Sequence, residues 1–205
     1  MKTLVFALFA SLLLFGCGSP DLDDPKYLDD ILAEAIDEDR LQWRGKKGEE
    51  LYYAQNEQTP YSGWTKSVHD NGQIHVLKQY KGGKRDGLSA LWFKNGNKCM
   101  ENNWRDDKQD GLSTSWYENG QKAMEMCMKD SNREGLCTWW YENGQIREKS
   151  NWKDDKLVSY TGWKPNGEKC PITNVVDGNG VCVVYSEDGT EKWRSRYKDG
   201  VRVKY

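Results

Sequence analysis

Three sets of side chains in this sequence have types and spacings that could do chemistry: cysteines, a histidine pair, and acids that recur at fixed phases. His69 and His75 flank one turn and could approach each other, but no carboxylate or thiol cluster beside them completes a metal-ligand set. They read as solvated turn residues. Acids recur as Glu118, Glu142 and Glu187, and as the pairs Asp106-Asp107 and Asp154-Asp155. Paired carboxylates do acid–base work only when unequal surroundings split their pKa values. These occupy equivalent exposed turns, so turn chemistry is their expected role. The sequence has no nucleophile elbow, zinc-protease helix, phosphate loop or dinucleotide fingerprint. The expectation is a protein that is not an enzyme, with no catalytic residue, metal or cofactor.

Cys17 belongs to a different chemistry. The apolar run from Leu4 to Phe15, broken only by Ser11, is too short to span a bilayer as a helix and reads as a signal peptide over residues 1–16. Its end, Leu14-Phe15-Gly16-Cys17, resembles a bacterial lipobox, with Phe15 standing where a smaller residue is usual. That resemblance implies a lipidated Cys17 as the new first residue, anchored because each buried CH2 contributes about 0.8 kcal/mol. With Gly18 following the cysteine, it implies the cell envelope, at the outer membrane in a diderm. Residues 17–24, rich in Pro and Asp, would form the tether.

Excluding Cys17, the cysteines number five, an odd count in an oxidising compartment. Return turns centred near Asn132 and Val176 would place Cys127 opposite Cys137 and Cys170 opposite Cys182. Two cross-strand disulfides are therefore expected, with Cys99 free; the alternative is five small buried thiols.

Those residues must be positioned by a lean chain. Thirty per cent of it is charged, and it has 20 glycines and only 4 phenylalanines, so its core leans on 10 tryptophans and 11 tyrosines. Residues 18–42 carry nine acids against Lys26 and Arg40, a local charge of −7. Residues 43–205 carry 27 bases against 23 acids, or +4, spread evenly. Nucleic-acid binding needs clustered bases, so it is not expected. Asp24-Pro25 supplies a helix cap and first residue, and Leu28, Ile31, Leu32, Ala35 and Ile36 follow at helical spacing. This predicts an acidic amphipathic helix over 25–42, its apolar stripe capping an open end or face of the sheet.

The remaining chain, 50–205, is periodic. Turn glycines fall at 72, 96, 120, 144, 167 and 189, and nine residues before each stands a second landmark at Gly63, Gly87, Gly111, Gly135, Val158 and Gly180. Asn-Gly, or Asp-Gly at 188 and 189, between aromatic runs signals two-residue type I′ hairpins with both central residues at positive φ. Period-2 alternation puts Leu88, Ala90 and Trp92 on one face, with Leu112, Thr114, Trp116 and Leu136, Thr138, Trp140 beside them. Position five of the repeat carries Trp92, Trp116 and Trp140. Position seventeen carries Trp104 and Trp152. The expected fold is mainly β: an elongated single-layer antiparallel sheet of stacked hairpin repeats, plus a short N-terminal helix.

The segments Tyr-Glu-Asn-Gly-Gln-Lys and Trp-Tyr-Glu-Asn-Gly-Gln, with the Asp-Gly-Leu and Glu-Gly-Leu that recur between such turns, resemble bacterial MORN-repeat variants, the YwqK-type antitoxin family in particular. The resemblance covers six repeats and a leading half-repeat containing Leu51-Tyr52-Tyr53. It implies toxin neutralisation, a role that export sets against a cytoplasmic target. The expected function is a membrane-anchored, non-enzymatic scaffold that binds another protein, antitoxin- or immunity-like. Trp92, Trp116, Trp140, Trp104 and Trp152 are its candidate surface. The alternative is an envelope protein whose aromatic rows stack on glycan or peptidoglycan. Oligomeric state is not legible at this level.

Overall fold

The computed structural model describes residues 21–204; the expected signal peptide, Cys17 and most of the expected tether lie outside them. Helix α1 is Pro25–Glu34, followed by β1 Ile36–Asp37, a 3-10 turn at Glu38–Arg40, β2 Leu41–Arg44 and β3 Leu51–Ala54. The repeats supply β4 Gly63–Val68, β5 Ile74–Lys81, β6 Lys84–Trp92, β7 Lys98–Arg105, β8 Lys108–Trp116 and β9 Lys122–Lys129. They continue with β10 Asn132–Trp140, β11 Ile146–Lys153, β12 Lys156–Gly162, β13 Asn174–Val176, β14 Asn179–Tyr185, β15 Glu191–Lys198 and β16 Val201–Val203. Strands β4 to β16 pair in chain order, and β1 adds in parallel beside β4, giving a 14-stranded sheet. The mainly β architecture of stacked hairpins with one short helix is as expected.

The helix is shorter than the predicted 25–42. Asp24 caps it through its carboxylate on the Lys26 N–H, and it stops at Glu34 because Ala35 turns to extended backbone and Ile36 joins the sheet edge. The leading half-repeat also differs. Leu51–Ala54 pairs with Leu41–Arg44 in a separate two-stranded sheet, whose Tyr52 meets Tyr80 edge-on with centroids 5.2 Å apart.

The two kinds of turn exchange the roles expected of them. At each Asn-Gly only the glycine has positive φ. The Gly96 N–H bonds back to Phe93 O (3.0 Å) and the Phe93 N–H to Asn97 O (2.9 Å), a type I turn closed by a left-handed glycine. Type I′ geometry lies at the opposite end, where Asp106-Asp107, Asp130-Ser131 and Asp154-Asp155 hold both central residues at φ 48–68°. Asp and Ser tolerate that region at some cost. Contacts between repeats offset it: the Asp107 N–H donates to Arg85 O (2.9 Å) and the Ser131 N–H to Gln109 O (2.8 Å). The recurring aspartates are thus turn residues that also hold one hairpin to the previous one.

At the other end asparagine does the same work. Asn95 accepts the Asn97 N–H and donates to Glu118 O (2.9 Å) one repeat on, and Asn119 donates to Glu142 O (3.0 Å). Two positions earlier, Tyr117 and Tyr141 each donate a hydroxyl to the carbonyl of the next repeat's aromatic, Trp140 and Trp163, at 2.7 Å. His69 stands at that phase in the first repeat and donates Nε2–H to Trp92 O (2.9 Å), its ring 4.3 Å from His75. The histidines are half-buried staples rather than solvated turn residues.

Cross-strand partners share a face, so the ladders define two. One face carries Leu77, Leu88, Ala90, Thr114, Thr138 and the position-five tryptophans. The other carries Ser89, Asn102, Ser113, Cys137, Ser150, Tyr160 and position seventeen. Helix α1 lies on the first face over β4–β6, where Leu22, Ile31 and Ala35 pack with Leu77, Leu88, Ala90 and Trp92. On the second face the C-terminal strands curl together around Trp152, Leu157, Tyr160, Val175, Cys182 and Val184. Among the described residues no helix is long and apolar enough to cross a membrane.

Candidate functional site

Neither predicted disulfide forms; the five cysteines of the described residues are free. The β9–β10 turn is Asp130-Ser131 rather than Asn132, and a bulge between Arg133 and Cys137 recovers only two of the three residues of register that this displaces. Cys137 therefore lies opposite Met126, and Cys127 opposite Leu112 on the other face. Likewise β13 and β14 meet with Val176 opposite Asn179. That register carries Cys170 to Tyr185, 3.1 Å from its hydroxyl, while Cys182 points to the opposite face beside Tyr160.

The five tryptophans taken as a binding surface do not form one. Trp92, Trp116 and Trp140 lie on the helix-bearing face, and Trp92 is buried beneath α1. Trp104 and Trp152 lie on the other face, under the guanidiniums of Arg85 and Arg133, 3.7 and 3.3 Å from the ring centroids. Each arginine also pairs with the aspartate of the next turn, Asp107 at 3.0 Å and Asp155 at 2.6 Å. These position-seventeen rings are each clasped by the arginine of their own repeat, on the face opposite the position-five tryptophans.

Two other features remain open. The first is a cavity of about 280 Å3 on the curled face, walled by Trp139, Trp152, Tyr160, Trp193 and Tyr197. Arg133, Arg202 and Glu148 are its charged groups. Glu148 comes from β11, opposite Trp139, and accepts the Tyr160 hydroxyl at 2.7 Å. Burial holds its carboxyl above the usual range, opposed by that hydrogen bond and by Arg147 and Arg133. The Tyr160 hydroxyl is raised, first by burial and then by the facing Glu148. Burial also lifts the two thiols in the wall, Cys137 to about 11 and Cys182 to about 12. Both are protonated at neutral pH and are poor nucleophiles.

Such a cavity can stack a flat or ring-shaped ligand and hydrogen-bond its polar edge. The reading of tryptophan ladders missed Glu148 and Trp139, though a signal existed. At the phase of Glu148 the earlier repeats carry Val76, Met100 and Met124. A carboxylate interrupting an apolar column is out of register with a purely structural role.

The second open feature is the leucine column of the helix-bearing face. Leu88 is 2% exposed beneath α1, whereas Leu112 and Leu136, at the same position in the next two repeats, are 46% and 57% exposed. Among the described residues no group of three or more His, Cys, Asp or Glu side chains is placed to hold a metal ion.

No curated protein matches this chain. Two stretches, residues 109–130 and 133–154, match the MORN repeat variant, and each spans one long hairpin with its return turn, β8–β9 and β10–β11. This is accordingly a repeat protein similar to MORN repeat variants over the two hairpins that carry the bare leucines.

Proposed function

We propose that this protein is a non-enzymatic scaffold, anchored to a membrane of the cell envelope through lipid on Cys17, that binds another protein on the helix-bearing face of its sheet. The observation that carries this reading is the leucine column, protected by the chain's own helix in the second repeat and bare in the third and fourth. A repeated sheet suits such a role because every added hairpin extends one rigid surface. The antitoxin- or immunity-like form of the reading follows from the resemblance to YwqK-type proteins and requires a toxin that meets the envelope.

A photocrosslinking residue placed at Leu136 in living cells tests it. A crosslinked species of discrete mass containing a second protein is expected. Crosslinks only to lipid, or none, would overturn the reading. Replacing Cys17 with Ser should abolish incorporation of a labelled fatty acid and release the protein from membranes.

One observation favours a second reading, the aromatic cavity. Rings flanking a carboxylate and an arginine suit a hydroxylated sugar ring, so the alternative is a glycan- or peptidoglycan-binding envelope protein. Retention on purified cell wall that is lost in Trp139→Ala and Glu148→Ala would favour it.

A further inference from the structure

Helix α1 shows what this sheet accepts, because the chain carries both a covered and an uncovered copy of the same surface. Over the first copy the acidic segment lays Leu22, Ile31 and Ala35 on Leu88, Ala90 and Trp92, with Tyr27, Leu28 and Leu32 at the margin. Two lysines complete the seat. Lys66 donates to Leu32 O near the end of the helix, where carbonyls lack partners within it (2.6 Å). Lys98 bridges Glu101 of its own strand and Asp23 ahead of the helix, both at 2.7 Å, with its ammonium 5.4 Å from the Trp116 ring.

The next copies repeat part of this seat one and two hairpins further on. Leu112 and Leu136 stand where Leu88 does, and Trp140 where Trp116 does. Lys122 pairs with Glu125 at 2.5 Å as Lys98 pairs with Glu101. The second copy lacks the acid that Asp23 supplies to Lys98, and Lys122 is 48% exposed where Lys98 is 12%; it also carries Ala90, Glu101 and Thr114 where the first carries Lys66, Leu77 and Ala90.

Resting on the scaffold reading above, we infer that the face formed by Leu112, Leu136 and Lys122 binds an acidic amphipathic helix presented by another protein, in the manner of α1. The occupant brings an apolar stripe at i, i+3, i+4 spacing for the two leucines and a carboxylate near its N-terminal end for Lys122. The charge agrees: residues 18–42 carry −7 and the remaining repeat body +4. A basic or uncharged helix would leave Lys122 without its second acid.

The test uses the full chain and a fluorescent peptide of residues 21–36, braced by a lactam between Lys26 and Asp30 because so short a helix is marginal alone. Saturable binding is expected, weakened at least tenfold by the double change Leu112→Ser and Leu136→Ser and about threefold by Lys122→Met. Both leucines are exposed, so unchanged thermal unfolding of the double variant shows that the fold persists. Equal binding of a peptide of the same composition with its stripe scrambled overturns the inference, as does binding indifferent to the leucines. So does no binding at millimolar peptide. Dimerisation of the chain that the leucine changes abolish assigns the face to a second copy and overturns it too. If the peptide fails while Leu136 still crosslinks a protein in cells, the scaffold reading survives and only the acidic helix falls.

Discussion

Leu88 and Leu136 occupy one position of the repeat, on one face of one sheet, yet the first is sealed beneath a helix and the second faces solvent. The backbones around them are nearly interchangeable: both strands pair through nine-residue hairpin arms, and both carry a bulge just before the position-five tryptophan. What separates them is only what lies on top. The contrast shows that each hairpin does not need its outer leucine covered in order to form. Turn-to-turn hydrogen bonds and the arginine–tryptophan clasps of the other face hold repeats together without it. The leucine column is therefore a surface that the fold leaves spare, and α1 uses one of its places.

The largest effect that sharpens this contrast is expected from truncating the two leucines. Leu88→Ala removes a side chain packed against Leu22, Ile31 and Trp92 and should cost about 2–5 kcal/mol in urea unfolding. Leu136→Ala should stay within about 0.5 kcal/mol. Equal losses at both sites would mean that something covers Leu136 in the isolated protein.

Lysine substitution probes the same pair of places through charge. Lys98→Met strips Glu101 and Asp23 of their shared cation and should cost about 1–2 kcal/mol. Lys122→Met, at an exposed pair, should cost less than about 0.5 kcal/mol. The Lys98 ammonium is held above its ordinary pKa: burial lowers it, but the hydrogen bonds it donates to Asp23 and Glu101, with their charges, outweigh that. A raised folded-state value means the stabilisation is complete below the unfolded pKa and fades as pH rises through the folded one. The difference between wild type and Lys98→Met should accordingly hold steady from neutral pH and shrink only in strong alkali. A difference that persists undiminished through strong alkali would assign the loss to packing over Trp116 instead.

Much of this arrangement was legible before any coordinates. The 24-residue spacing of turn glycines and the alternation of Leu88, Ala90 and Trp92 lead directly to stacked hairpins and to the face each residue takes. What escaped depends on register, which a single bulge resets. The turn at Asp130-Ser131, only partly offset by the glycine-led bulge between Arg133 and Cys137, left Cys137 opposite Met126 rather than Cys127, and a pattern of residue types carries no count of bulges. The end of α1 escaped for a similar reason. Leu28 to Ile36 keeps helical spacing throughout, but Ile36 and Asp37 pair with Thr65 and Lys66 on the open edge of β4, a tertiary reward that local periodicity does not contain. Curling of the C-terminal strands, which brings Glu148, Tyr160 and Trp193 to one cavity, joins residues far apart in sequence and was invisible to a ladder drawn repeat by repeat.

The smallest expected effect belongs to that cavity and separates it from the leucine column as a site kept at some expense to the fold. Burial raises the Glu148 carboxyl, so its folded-state pKa lies above its unfolded one. The native state loses stability as pH rises through the folded value, and the loss persists at neutral pH. Glu148→Gln keeps an acceptor for the Tyr160 hydroxyl and never ionises. Its melting temperature should exceed that of wild type by a few degrees or less at pH 7, with the gap closing toward pH 4. A variant less stable than wild type at pH 7 would show that Arg133 and Arg147 more than repay the burial, making the carboxylate a structural anchor. A more stable variant would mark Glu148 as a charge retained against the interest of the fold, as a ligand-facing group in an aromatic cavity is expected to be.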